Sequence, residues 1–141
     1  MNTLFAGNNG IADIPIRIAF GAIFVAHGAQ KLFGWWGGYG LEATGQWMDS
    51  IGLEPGFLMA TLAGSIEFFG GIALILGALT RPVALLSTLL MLIALTSVHW
   101  SNGFFVSANG YEFALALTAM SAYLTIAGSG RLSIDAIARR A

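Results

Sequence analysis

Four times between Ile14 and Ala127 the sequence sustains an apolar run long enough, or nearly long enough, to cross a lipid bilayer. A hydrocarbon core about 30 Å thick takes roughly 20 mostly apolar helical residues to traverse. The runs extend from about Ile14 to Phe33, Phe57 to Leu79, Pro82 to His99 and Tyr111 to Ala127. The last two are short, a mismatch that tilt or local thinning absorbs. Their length and the lack of period-two alternation exclude barrel strands and predict helices. Pro15 and Pro82 fall in first helical turns, where a missing N–H costs little, and Gly128, Ser129 and Gly130 close the fourth run. The first run follows a polar tail containing Asp13 rather than a basic segment, and it carries His27 and Lys31, which argues against a cleaved signal peptide.

Composition points the same way. Hydrophobic residues make up 57% of the chain and charged ones only 9%, with a mean hydropathy of +0.78. A soluble domain is about a quarter charged, so six basic and seven acidic side chains cannot cover a globule of 141 residues. A net charge of −1 offers no basic face, which excludes a nucleic-acid partner. Without cysteine, the chain itself holds no disulfide, thiol relay or iron–sulfur cluster. The expectation is an all-α integral membrane four-helix bundle, a single transmembrane domain over residues 1–141, in contact with membrane lipid.

The loops set the orientation. With four spans both termini lie on one side, and that side collects Arg17, Arg81, Arg131, Arg139 and Arg140 against Lys31 alone on the other. The positive-inside rule then puts both termini in the cytoplasm and the two long loops outside. In the first outer loop, Trp35 and Trp36 precede a glycine-rich stretch suited to the headgroup zone. Leu41, Met48 and Ile51 then recur at helical spacing, which predicts a short amphipathic interfacial helix over Leu41 to Ile51. It serves as a surface anchor or as a lid. The second outer loop, Trp100 to Gly110, is also aromatic and reads as interfacial.

Ionisable groups inside a span need a reason to be there. His27 and Lys31 are four apart on one helix face. At about 100° per residue, Arg17 lies about 80° from His27 and about 40° from Lys31, so all three share a side that must face the bundle. Glu67 follows the start of the second run by ten residues, about 15 Å deep at 1.5 Å per residue. Gly64 and Gly71 share its stripe, where a neighbouring helix can approach closely. His99 ends the third run and Glu112 begins the fourth at the outer level. Plainer roles stand beside these. Arg81 reads as a topology anchor, Arg17 as snorkelling inward or internally paired, and Lys31 as snorkelling outward. Glu112 reads as a helix N-terminal charge and His99 as a cap. Glu67 is the hardest to reduce to such a role, because a carboxylate at that depth needs a partner or a proton of its own.

The chain resembles the DoxX family of small four-helix membrane proteins. The resemblance rests on Arg17, on His27-Gly28-Ala29-Gln30-Lys31-Leu32, on Gly64-Ser65-Ile66-Glu67 with Gly70-Gly71, and on Thr80-Arg81. It continues through His99, Tyr111-Glu112 and the run from Gly128 to Asp135, and covers nearly the whole chain. It implies a multi-pass protein of a prokaryotic cytoplasmic (inner) membrane. It further implies a subunit of a membrane oxidoreductase, such as a thiosulfate–quinone oxidoreductase, or a partner in an oxidative-stress complex.

The functional expectation is a quinone-binding or quinone-reactive subunit with a polar intramembrane site near the outer leaflet. Glu67, His27 and Lys31 are the candidate catalytic groups, with His99, Glu112 and Arg17 as candidate cofactor-binding groups. His27 and Lys31 would donate hydrogen bonds to quinone oxygens, Glu67 or Glu112 would relay protons, and Phe24, Phe68 and Trp100 would wall the ring. Electrons would come from a bound carrier or a protein partner, with association between copies of the chain an open option. Three alternatives stand beside it: haem between His27 and His99, which is disfavoured; a small proton-coupled transporter; and a non-catalytic anchor or assembly partner of a redox complex.

Overall fold

The structure, a computed structural model, describes residues 10–140; most of the polar tail ahead of the first helix lies outside them. The regular structure of the described residues is all helical, with no strand among them. Helix α1 spans Ile14–Phe33, α2 Gly40–Ser50, α3 Gly56–Leu76, α4 Thr80–Ala94, α5 Glu112–Ala127 and α6 Ile134–Ala138. The four long helices pack in the cyclic order α1, α3, α4, α5, and α2 lies across α3 and α1 at one end. The α1–α3 and α4–α5 pairs are extensive, whereas α1 and α5 touch over a short stretch.

Local chemistry sets the boundaries. Pro15 sits in the first turn of α1, and Gly34 at φ 71° ends that helix, its N–H reaching back to Ala29 and Gln30. Helix α3 ends at Leu76, short of the expected Leu79, because Gly77 takes the left-handed conformation. Helix α4 begins two residues before Pro82, because the Asp135 carboxylate accepts the Leu79 and Thr80 N–H groups at 2.7 and 2.9 Å. Nor does it stop at His99. The winding widens to a π turn over Leu95–His99 and tightens again through Trp100–Asn102.

By length and composition two helices can cross a membrane, Gly56–Leu76 and the extended Thr80–Asn102. Helix α1, at 20 residues, is nearly as long but is diluted by Arg17, His27, Gln30 and Lys31, while α5 is apolar but has only 16 residues. Phe20, Phe24, Leu74, Leu117 and Leu124 form the main core, and Met48, Ala60 and Ala63 form a smaller one beneath α2. Outward-facing Phe69, Leu86, Leu89, Ile93 and Leu115 are exposed.

Candidate functional site

Helices α1 and α3 approach until their backbones touch. A side chain added at Gly28 would strike the backbone of Phe68 and Gly64, and one at Gly71 would strike Gly21. This closeness brings the last turn of α1 level with the middle of α3. There Lys31 Nζ donates to both carboxylate oxygens of Glu67, at 2.7 and 3.0 Å. The ammonium sits in the last turn of α1, where the helix dipole favours a cation. The Glu67 side chain is 9% exposed and that of Lys31 22%, so the cation keeps a route to the surface that the carboxylate lacks.

The pair borders a cavity of about 270 Å³ between α1, α4 and α5. His27 and His99 line the same cavity, with Phe24, Met91, Phe113 and Leu117 among its apolar walls. His27 is exposed although it lines the cavity, so the chamber is not sealed along the α1–α5 seam. The π turn presents His99, and π turns recur at functional sites in helices. Its Nδ1 lies 3.0 Å from the Asn109 carbonyl oxygen, which can only accept, so Nδ1 is the donor of that hydrogen bond.

Lys31 also borders a second, larger groove of about 490 Å³. This groove lies between the end of α1 and the face of α2, with Gln30, Tyr39, Ala43, Thr44 and Trp47 on its walls. Lys31 therefore lines both the groove and the chamber.

Two expected members of the site lie elsewhere. Arg17 is at the other end of α1, buried among its own partners. Its Nη1 donates to Asp13 Oδ2 at 2.8 Å, its Nε to the Leu74 carbonyl at 3.0 Å, and its Nη2 to the Ile75 and Leu132 carbonyls at 3.1 Å each. The helical-wheel angle is right but fourteen residues of rise separate Arg17 from Lys31, about 21 Å at 1.5 Å per residue. Glu112 caps its own loop, accepting the Val106 N–H at 2.8 Å. Of the expected aromatic walls only Phe24 lines the chamber. Phe68 packs edge-on against Phe33 and Phe69, and Trp100 stacks on Tyr111 with centroids 4.9 Å apart. Arg81 donates to the Ile126 carbonyl at 2.9 Å.

The residues that sequence reasoning passed over are Asn109 and the polar knot at the termini end. Asn109 holds φ 58° just before Gly110, and an Asn-Gly pair is a readable signal for a turn with positive φ. In the knot, Asp13 also accepts the Gly130 N–H at 2.8 Å. Asp135 adds the Ser129 hydroxyl at 3.1 Å to its two backbone donors.

The DoxX family profile matches residues 12–100. This chain belongs to the DoxX family. It is 34% identical to a Bacillus subtilis protein named "Putative oxidoreductase CatD", over 89% of this chain and 85% of that one. It is 32% identical to the Escherichia coli "Inner membrane protein YqjF", over 89% of this chain and 90% of the relative. A second E. coli relative, "Inner membrane protein YphA", is 31% identical over 96% of this chain and 99% of its own length. No solved structure matches. The family match takes in His27, Lys31, Glu67 and His99, and Glu112 falls beyond it.

Proposed function

We propose that this DoxX-family chain is a quinone-binding or quinone-reactive subunit of a membrane oxidoreductase, working in a bacterial inner membrane as a four-helix bundle with both termini in the cytoplasm. The observation that carries the reading is a buried ion pair, Lys31–Glu67, sharing one chamber with both histidines of the chain. A membrane oxidoreductase-related role and an inner-membrane location have the support of the family and of the relatives' names. The bilayer reading is supported by the long apolar helices, in whose apolar windows only 39% and 22% of residues are buried. A soluble core helix would be mostly covered. The orientation follows from the five arginines at the termini end.

The donor set fits a quinone. Its carbonyl oxygens call for hydrogen-bond donors and its ring for apolar walls, and the chamber offers both. A bound quinone supplies two-electron, two-proton chemistry, its electrons coming from a carrier held by a partner subunit. His27 and Lys31 present the N–H groups that orient an oxygen acceptor. Glu67, poised against the ammonium, holds or releases a proton at its carboxylate. The apolar walls exclude water from the ring, and the open α1–α5 seam suits a ligand that arrives through lipid.

The test is organic extraction of protein purified in mild detergent, followed by mass spectrometry, with turnover of quinone-linked membranes in parallel. The expected result is quinone retained by the wild-type protein and lower quinone-linked turnover in Glu67→Gln. Absence of quinone together with an unaffected Glu67→Gln variant overturns the reading.

A further inference from the structure

The groove and the chamber share Lys31, whose side chain is more exposed than that of its partner, and the groove faces the end of the bundle that carries α2. Below the ion pair, toward the termini, the interior changes character. Phe20 and Phe24 pack with centroids 4.2 Å apart and are 0% and 2% exposed. Leu74 and Leu124 beside them are also at 0%. Further on, Arg17, Asp13 and Asp135 occupy one another and the surrounding backbone. A water chain needs polar partners at each step; the two phenylalanines and two leucines supply none, and the buried Ser87 and Ser121 hydroxyls on α4 and α5 are already donated to carbonyls of their own helices.

We propose that the groove, Lys31 and the chamber form a one-sided half-channel, through which water and protons reach the Lys31–Glu67 pair from the outer face only. Lys31 is its gate: the flexible ammonium marks the boundary between groove and chamber, and the Phe20–Phe24 layer is its floor. Protons exchanged at Glu67 therefore communicate with the outer water and not with the cytoplasm. The inference deepens the quinone reading by giving the site a side, and it rests on that reading for the orientation of the bundle and for what the protons serve; access itself is tested without quinone.

The absence of cysteine in the sequence makes the test direct. Ala114 is 3% exposed and lines the chamber wall. In right-side-out membrane vesicles the single-cysteine variant Ala114→Cys is expected to react with a charged, membrane-impermeant methanethiosulfonate. In inverted vesicles the reaction is lost, and Leu74→Cys, in the floor, stays unlabelled in both. Filling the groove with Ala43→Trp slows labelling of Ala114→Cys. Ala94→Cys, also on the chamber wall, reads the same space if Ala114→Cys does not accumulate folded. Labelling from inverted vesicles, labelling from both sides, or reaction with lipid-soluble N-ethylmaleimide alone overturns the half-channel. Each of these outcomes leaves quinone retention to be judged on its own extraction.

Discussion

Two ion pairs, Arg17–Asp13 and Lys31–Glu67, are covered among the described residues, and they are built on opposite plans. In the first the guanidinium is saturated: it makes four hydrogen bonds, three of them to backbone carbonyls, while Asp13 Oδ2 also holds a backbone N–H and Oδ1 is left without a partner. It ties the start of α1, the end of α3 and the segment before α6 into one knot. Lys31–Glu67 is sparse: among the described residues its two groups hydrogen-bond only to each other, and they do so at the edge of a cavity. A guanidinium surrounded by fixed partners has nothing left to offer a ligand. A charge with a single flexible partner and adjacent space can exchange that partner. The difference separates the residue that locks the fold from the residues that can do chemistry.

The comparison is broken most forcefully at the saturated pair. Arg17→Leu leaves Asp13 buried with no cation, a change that costs about 3–5 kcal/mol. Thermal unfolding in detergent should show the largest loss of the set, and a midpoint close to wild type would mean that the knot does not lock the fold. Asp135→Ala removes the acceptor for two N–H groups at the start of α4 and should cost about 1–3 kcal/mol in the same assay. Gly28→Ala forces α1 off α3 and should cost about 1–3 kcal/mol by overpacking, and it should also lower quinone retention by separating Lys31 from Glu67. The smallest structural effect belongs to the sparse pair. Replacing both partners by apolar residues, Lys31→Met with Glu67→Leu, should leave the midpoint within about 1 kcal/mol of wild type while abolishing quinone retention. A large loss of stability in that double variant would place both pairs in the same structural class.

Much of this arrangement is legible in the sequence. The first apolar run is read as a helix from Ile14 to Phe33, and the helix has those bounds, because proline and glycine punctuate it at both ends. The short amphipathic helix is read as Leu41 to Ile51 and runs Gly40–Ser50. Helical spacing puts His27 and Lys31 on one face, and the glycine stripe around Glu67 marks a close helix contact. Less legible is what comes from tertiary contact. Arg17 shares a wheel sector with Lys31, but an angular argument carries no depth, and its carbonyl partners at Leu74, Ile75 and Leu132 lie far away in sequence. Asp13 reads as part of a polar tail although it stands one helical turn before Arg17. The π turn that presents His99 leaves no mark in an apolar pattern, since one extra residue per turn changes the register without changing the composition.

The glycine contact between α1 and α3 also decides which parts of the molecule can move. Two helices whose main chains touch cannot slide or rotate past each other without collision, so they act as one rigid plate carrying both ends of the Lys31–Glu67 bond. The facing wall has a different character, since α5 meets α1 over only a short stretch and is reached through an irregular loop. Any breathing of the chamber falls to α5 and that loop. The backbone of that plate then serves as a fixed reference against which the opposite side opens and closes.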